Sequence, residues 1–134
     1  MTNKKDIRWR QRFENFEKAY KLLERTLQIN KPSEVEKGGI IQFYEMAFEL
    51  AWKMLKDYLE AEGLHTQSPR EVLKTAVQYE FIENGHEWID ALEDRNLTVH
   101  TYDEKIADQV VEKIKFSYFH LLKNLYQSFR EKKD

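Results

Sequence analysis

The chain reads as all-α, an antiparallel four-helix up-and-down bundle with one leg split into two short helices. Three observations predict this. Only four Gly and two Pro interrupt 134 residues, too few breaks for a succession of short strands. Apolar residues recur at alternating spacings of three and four, the helical period. Nowhere does the strict alternation of a half-buried strand compete, and there is no internal repeat, linker or low-complexity segment.

The first helix is expected over residues 5–28, where Trp9, Phe13, Phe16, Tyr20, Leu23 and Leu27 form a heptad-like seam. Lys31-Pro32-Ser33 ends it, and Gly38-Gly39 either breaks a short first turn or opens the next helix. That second helix spans 40–61, its wide apolar face carrying Ile41, Tyr44, Phe48, Ala51, Trp52, Leu55, Tyr58 and Leu59, with Gly63 as its stop. Ser68-Pro69-Arg70-Glu71 is a helix start: a cap, a proline at the first helical position and a glutamate placed for a capping box. The third helix is short, 69–79, and after Asn84-Gly85 a fourth covers 86–97. Asp103-Glu104 opens the last, whose seam of Ala107, Val110, Ile114, Tyr118, Leu121, Leu125 and Phe129 carries it to residue 130. The whole chain, 1–134, is expected to be a single domain, long enough to bury a core.

Composition narrows the function. An apolar fraction of 41% and an aromatic fraction of 13% argue against disorder despite 34% charged residues. The absence of cysteine excludes disulfides and thiolate metal sites and fits a reducing cytoplasm. Met1-Thr2-Asn3-Lys4-Lys5 has no apolar run behind it, so no signal peptide is expected, and no window is apolar enough to span a membrane. A net charge of −2 and a pI near 6.1 weigh against broad nucleic-acid binding, which needs a basic surface. Charge is uneven, though. Lys4, Lys5, Arg8, Arg10 and Arg12 make the start basic, either as a solvated helix end or as a local hold for RNA, whereas residues 83–104 are acidic apart from Arg95.

At helical spacing the aromatic stripes are core rather than platforms for bases, and an apolar face on the first or last helix also fits a dimer interface. Glu83, Glu87, Asp90 and Asp94 fall at spacings of 4, 3 and 4 with His86 nearby. Such oxygens can hold Mg²⁺ or Ca²⁺, yet a solvated acidic face explains them better, and neither a metal nor a cofactor is expected. Gly38-Gly39 lacks the Lys-Ser/Thr of a phosphate loop. No Asp-x-Asp pair is present, so the chain is not a nucleotidyltransferase by itself.

The stretch Arg95-Asn96-Leu97-Thr98-Val99-His100-Thr101-Tyr102 stands apart. Trp88, Leu92, Arg95 and Val99 are spaced 4, 3 and 4, which sets Arg95 in the apolar stripe of its own helix. A guanidinium there needs a partner, an interface or a ligand. Glu45 and Glu49, flanking the apolar face of the second helix, are candidates to orient Arg95 or His100. One reading is plain structure: Arg95 bridges to a neighbouring helix and His100 caps a helix end. The other is RNA phosphodiester cleavage without metal. His100 would take a proton from a ribose 2′-hydroxyl or give one to the leaving oxygen, Arg95 would clamp the phosphate, and Asn96 would hydrogen-bond the phosphate or orient the imidazole. One histidine is a thin toolkit for both acid and base, which favours a dimer bringing two copies together.

Arg95-Asn96-x-x-x-His100 resembles the Arg-x(4–6)-His signature of the HEPN superfamily, and His100-Thr101-Tyr102 its His-x-Tyr extension. With Phe43-Tyr44-Glu45-Met46-Ala47-Phe48-Glu49-Leu50-Ala51-Trp52-Lys53, the chain is similar over nearly its whole length to the branch named nucleotidyltransferase substrate-binding proteins. The resemblance implies a bundle that dimerises with the signature at the dimer cleft, and a separately encoded partner, a minimal nucleotidyltransferase of the MNT type. In many such pairs the HEPN member is a toxin, a metal-independent ribonuclease, and the MNT member its antitoxin. Some of these antitoxins adenylylate the tyrosine of the His-x-Tyr motif, here Tyr102. An older reading of the branch has the bundle bind the substrate for its transferase, like the helical domain of aminoglycoside nucleotidyltransferases. The acidic surroundings (Glu93, Asp94, Asp103, Glu104) depart from what tight RNA binding would favour.

Overall fold

Capping chemistry sets where the helices begin and end. The computed structural model describes residues 4–95 and 103–134. Its elements are α1 (Lys4–Thr26), α2 (Glu34–Ala61), α3 (Pro69–Gln78), α4 (Gly85–Asp94), α5 (Glu104–Lys113), a π-helical turn (Ile114–Tyr118) and α6 (Phe119–Lys133). α2 starts well before the expected residue 40. Ser33 Oγ accepts from the Glu36 N–H at 3.1 Å, and the Glu36 carboxylate accepts from the Ser33 N–H at 2.8 Å. This capping box, with two acidic residues in the first turn, offsets the roughly 1 kcal/mol that each of Gly38 and Gly39 costs inside a helix. Gly63, at φ +83°, closes α2: its N–H reaches the Glu60 carbonyl and that of Leu64 the Leu59 carbonyl.

At α3 the box is half made. Ser68 caps Glu71 as expected, but the Glu71 carboxylate accepts from the Gln67 N–H, one residue upstream of the cap. α4 opens at Gly85, where a side chain would run into Val77: a Cβ there would sit 2.9 Å from Val77 Cγ2. The expected end of the fourth helix, residue 97, lies outside the described residues. Asp103 caps α5 through the N–H groups of Lys105 and Ile106.

α2 is the axis of the bundle. It packs against α1, α3, α5 and α6, and the α3–α4 leg reaches it again through Trp88, whose ring lies 5.9 Å from that of Phe48. α1 runs antiparallel to α2, since Arg8 and Arg12 near its start pair with Glu60 and Asp57 near the end of α2. α6 runs antiparallel to α1: Arg10 donates to the Lys133 carbonyl, and the Tyr126 hydroxyl donates to Glu17 at 2.7 Å. α2 and the α5–α6 leg share a direction, Lys37 pairing with Asp108 at one end and Tyr58 meeting Phe129 at the other. This is the up-and-down bundle with a split leg. Phe13, Phe16, Phe48, Met54, Leu55 and Phe129 are essentially inaccessible in its core, each such side chain contributing about 1.5–3 kcal/mol.

One element differs from expectation. The seam predicts an unbroken last leg, but residues 114–118 form a wide turn in which the Phe119 N–H reaches the Ile114 carbonyl, five residues back. Ile114 and Tyr118 are both buried across this turn, and Leu121, Leu125 and Phe129 continue the seam beyond it. Among the described residues no helix is long and apolar enough to cross a membrane.

The Arg12–Asp57 bond, 2.9 Å long, joins α1 to a carboxylate that is only 9% exposed. Arg12→Ala is expected to cost about 1–3 kcal/mol in urea denaturation, because it strands a buried acceptor. Replacing both residues with apolar ones should recover most of that loss. A double variant as unstable as the single one would contradict the argument.

Candidate functional site

The site is built where the end of α4 meets the middle of α2. Trp88 and Leu92 are buried on the inner face of α4, and Arg95, in line with them, emerges at the helix end with its side chain 34% exposed. Its guanidinium lies 3.7 Å from Glu49 Oε2. Glu49 is itself held: the Trp52 indole N–H donates to the same oxygen at 2.9 Å, and the Lys53 ammonium lies 3.4 Å from the other. Glu, Trp and Lys at i, i+3 and i+4 share one face of α2, so the helix aims the carboxylate at α4. Glu45 stands one turn earlier, and burial pushes its carboxyl above the ordinary range.

A second set of bonds fixes the same turn of α4 from the other side. Asp94 accepts from the Tyr118 hydroxyl and, at 2.9 Å, from the Lys113 ammonium. Burial pushes the Asp94 carboxyl up, but these two bonds prevail and hold it below the usual carboxylate range. Tyr118 moves the opposite way: burial and the Asp94 carboxylate raise its phenol well above the ordinary value. Its ring stacks on Tyr44 at 5.8 Å, and the Tyr44 hydroxyl, also driven strongly towards its neutral form by burial, donates to the Ala91 carbonyl at 3.4 Å.

Of the residues singled out from sequence, the structure brings together Arg95 and Glu49, with Glu45 a turn away. Asn96, His100 and Tyr102 lie outside the described residues. The acidic row over residues 83–94 does not act as one face. Asp94 is turned inward onto Tyr118 and Lys113, Asp90 lies 3.6 Å from His86, and Glu83 and Glu87 are exposed. Among the described residues no three His, Asp or Glu side chains converge as metal ligands would. The three arginines at the start of α1 are engaged internally, Arg8 and Arg12 with α2 and Arg10 with α6 and the Trp9 ring. By α2 geometry, Asp57 lies about 12 Å along the helix from Glu49.

Sequence reasoning missed Asp94, Lys113, Tyr118 and Tyr44 as parts of this junction. Its one available signal was a phenol at position 118, set in an otherwise aliphatic stretch of the last seam. A buried tyrosine hydroxyl requires an acceptor, and the acidic end of α4 could supply it.

The sequence matches the family described as nucleotidyltransferase substrate binding protein like over residues 11–131, and the chain belongs to that family, a branch of the HEPN superfamily. It is 30% identical over 82 residues to a Haemophilus influenzae protein described as "Probable ribonuclease HepT". That match covers 58% of this chain and 56% of the relative, so the chain spans little more than half of the curated protein it resembles. A crystal structure of a protein from Thermus thermophilus superposes with a TM-score of 0.74 at 30% identity, covering 88% of this chain and 98% of that one.

The opposed shifts of Asp94 and Tyr118 define a pH window. A lowered carboxyl contributes stability that is present above its unfolded value and lost as pH falls through the folded one; a raised phenol contributes below about pH 10 and loses it as pH rises further. The difference in urea midpoint between the wild type and Asp94→Asn should therefore be full at pH 7 and shrink below about pH 4. A difference that stayed constant down to about pH 3 would contradict the assignment.

Proposed function

We propose that the chain is the HEPN subunit of a two-component, toxin–antitoxin-like system, a metal-independent endoribonuclease restrained by a separately encoded MNT-type nucleotidyltransferase. The observation that carries this reading is the signature beginning at Arg95, together with the anchorage of that guanidinium against Glu49. Planar, bidentate recognition of phosphate suits a guanidinium.

In the proposed reaction His100 removes the proton of a ribose 2′-hydroxyl. The 2′-oxygen bonds to the adjacent phosphorus as the bond to the 5′-oxygen breaks, and an imidazolium returns a proton to that leaving oxygen. A cyclic phosphate and a 5′-hydroxyl result. Arg95 stabilises charge on the non-bridging oxygens, and Asn96 orients phosphate or imidazole. Two histidines serve this better than one, so the active form is a homodimer. Phe43, Met46 and Leu50, spaced three and four on α2 and still partly exposed beside Glu49, suit the second copy. Adenylylation of Tyr102 by the partner would add bulk and negative charge where the phosphate must sit. The expected setting is the cytoplasm.

The family's description favours a second reading, a non-catalytic subunit that presents a small substrate or nucleotide to the transferase. A cleft of about 320 Å³ between α6 and the α3–α4 connection, lined by Phe81, Asn84, Trp88, Asn124 and Ser128, could hold a small ligand.

Purified protein is expected to cut RNA in EDTA, and His100→Ala to lower the rate by at least about 10²-fold. Equal cutting by the variant removes His100 from the chemistry. Saturable nucleotide binding by calorimetry, with no cleavage, selects the substrate-binding reading. Co-expression with the transferase should raise the intact mass by an adenylyl group in the wild type and leave Tyr102→Phe unmodified.

A further inference from the structure

The last turn of α4 is restrained at several places, one of them the bond from Arg70 of α3 to Glu93. Tyr44 holds the Ala91 carbonyl, Tyr118 and Lys113 hold the Asp94 carboxylate, and Glu49 faces Arg95. At the other end of α4, Asn84 makes no side-chain cap, and Gly85 packs close against Val77. Burial of Trp88 and Leu92 already secures α4 to the core, and a partly exposed charged cluster at its rim adds only modestly to that. What such a cluster supplies is orientation. The π-helical turn belongs to the same arrangement, because it ends at Tyr118, whose ring lies on Tyr44 and whose hydroxyl donates to Asp94.

We infer that Asp94 is a positioning residue for the Arg95 site: pinned by Tyr118 and Lys113, it fixes the rotation of the α4 end and so keeps the adjacent guanidinium against Glu49, ready for a phosphodiester. The effect on rate rests on the ribonuclease reading above; the effect on Arg95 does not. A rotation of about 10° moves a group about 6 Å from a helix axis by about 1 Å. Misplacement on that scale lowers rates by up to about 10²-fold.

Tyr118→Phe keeps the ring on Tyr44 and removes only the hydroxyl. Asp94→Asn can still accept from Tyr118, whereas Asp94→Ala cannot. Two readouts are followed on the full chain: the Arg95 side-chain Nε–H resonance, assigned by its loss in Arg95→Lys, and single-turnover RNA cleavage. In Tyr118→Phe and Asp94→Ala the Arg95 resonance is expected to shift or broaden while backbone amides of α1 and α6 stay in place. The maximal single-turnover rate should fall roughly tenfold at a nearly constant half-saturating concentration, and Asp94→Asn should recover much of both. An Arg95 resonance identical to wild type in both Tyr118→Phe and Asp94→Ala overturns the inference. A perturbed resonance in a protein that cuts no RNA even as wild type upholds the positioning role and sinks the ribonuclease reading instead. Loss of the α1 and α6 amide pattern together with Arg95 would mark Tyr118 and Asp94 as general fold residues and would also overturn it.

Discussion

The burial of α2 is the constraint on which the other elements depend. Residues from Ile40 to Leu59 on several sides of this helix are inaccessible, which is possible only if other helices surround it. Every polar group on α2 that faces a neighbour must then be matched by that neighbour. Asp57 is matched by Arg12 of α1, Glu49 by Trp52 of its own helix and Arg95 at the end of α4, and the Tyr44 hydroxyl by the Ala91 carbonyl. The partners are specific in position as well as in charge, so satisfying α2 also sets how the surrounding legs are placed along it.

The candidate site inherits its geometry from that requirement. Arg95 is not a surface arginine that happens to lie near an acid. It continues the line of Trp88 and Leu92, which the core holds, and it ends beside a carboxylate whose own orientation is set by an indole. The tyrosines behind it are kept as neutral donors by burial. The α4 end therefore carries fixed dipoles and paired charges rather than a loose acidic surface, and the clustering of carboxylates around the signature is less hostile to a phosphate than their count suggests. Asp94, at least, is neutralised locally by Lys113.

Much of this was legible in the sequence, for identifiable reasons. The seams of α1 and α6 follow the helical period, and Gly63, Ser68, Pro69 and Asp103 are local signals that act through their own backbone, so the bundle and most of its boundaries could be read directly. Arg95 and Glu49 were readable because a charge on an apolar stripe has to be answered. The early start of α2 was harder, since Gly38-Gly39 argues against a helix that the Ser33–Glu36 box then secures. The π-helical turn has no local signature: Val110, Ile114 and Tyr118 at spacings of four fit an ordinary helix equally well. The role of Asp94 is hidden for the same reason, because its partners lie 19 and 24 residues further along the chain. The arginines of α1 resemble a nucleic-acid patch until the carboxylates of α2 are placed opposite them.

The packing of α1 against α6 brings the two extremes of the described chain to one pole, where Arg10 meets the Lys133 carbonyl and Glu14 its ammonium. Joining those extremes would close a small loop at little entropic cost, turning the bundle into a ring that could be reopened at the exposed connection around Gly63. In such a circular permutant α3 would come first and α2 last, yet Glu49, Asp94, Arg95 and Tyr118 would keep their neighbours. The site is thus a property of how the legs pack and not of the order in which they are strung.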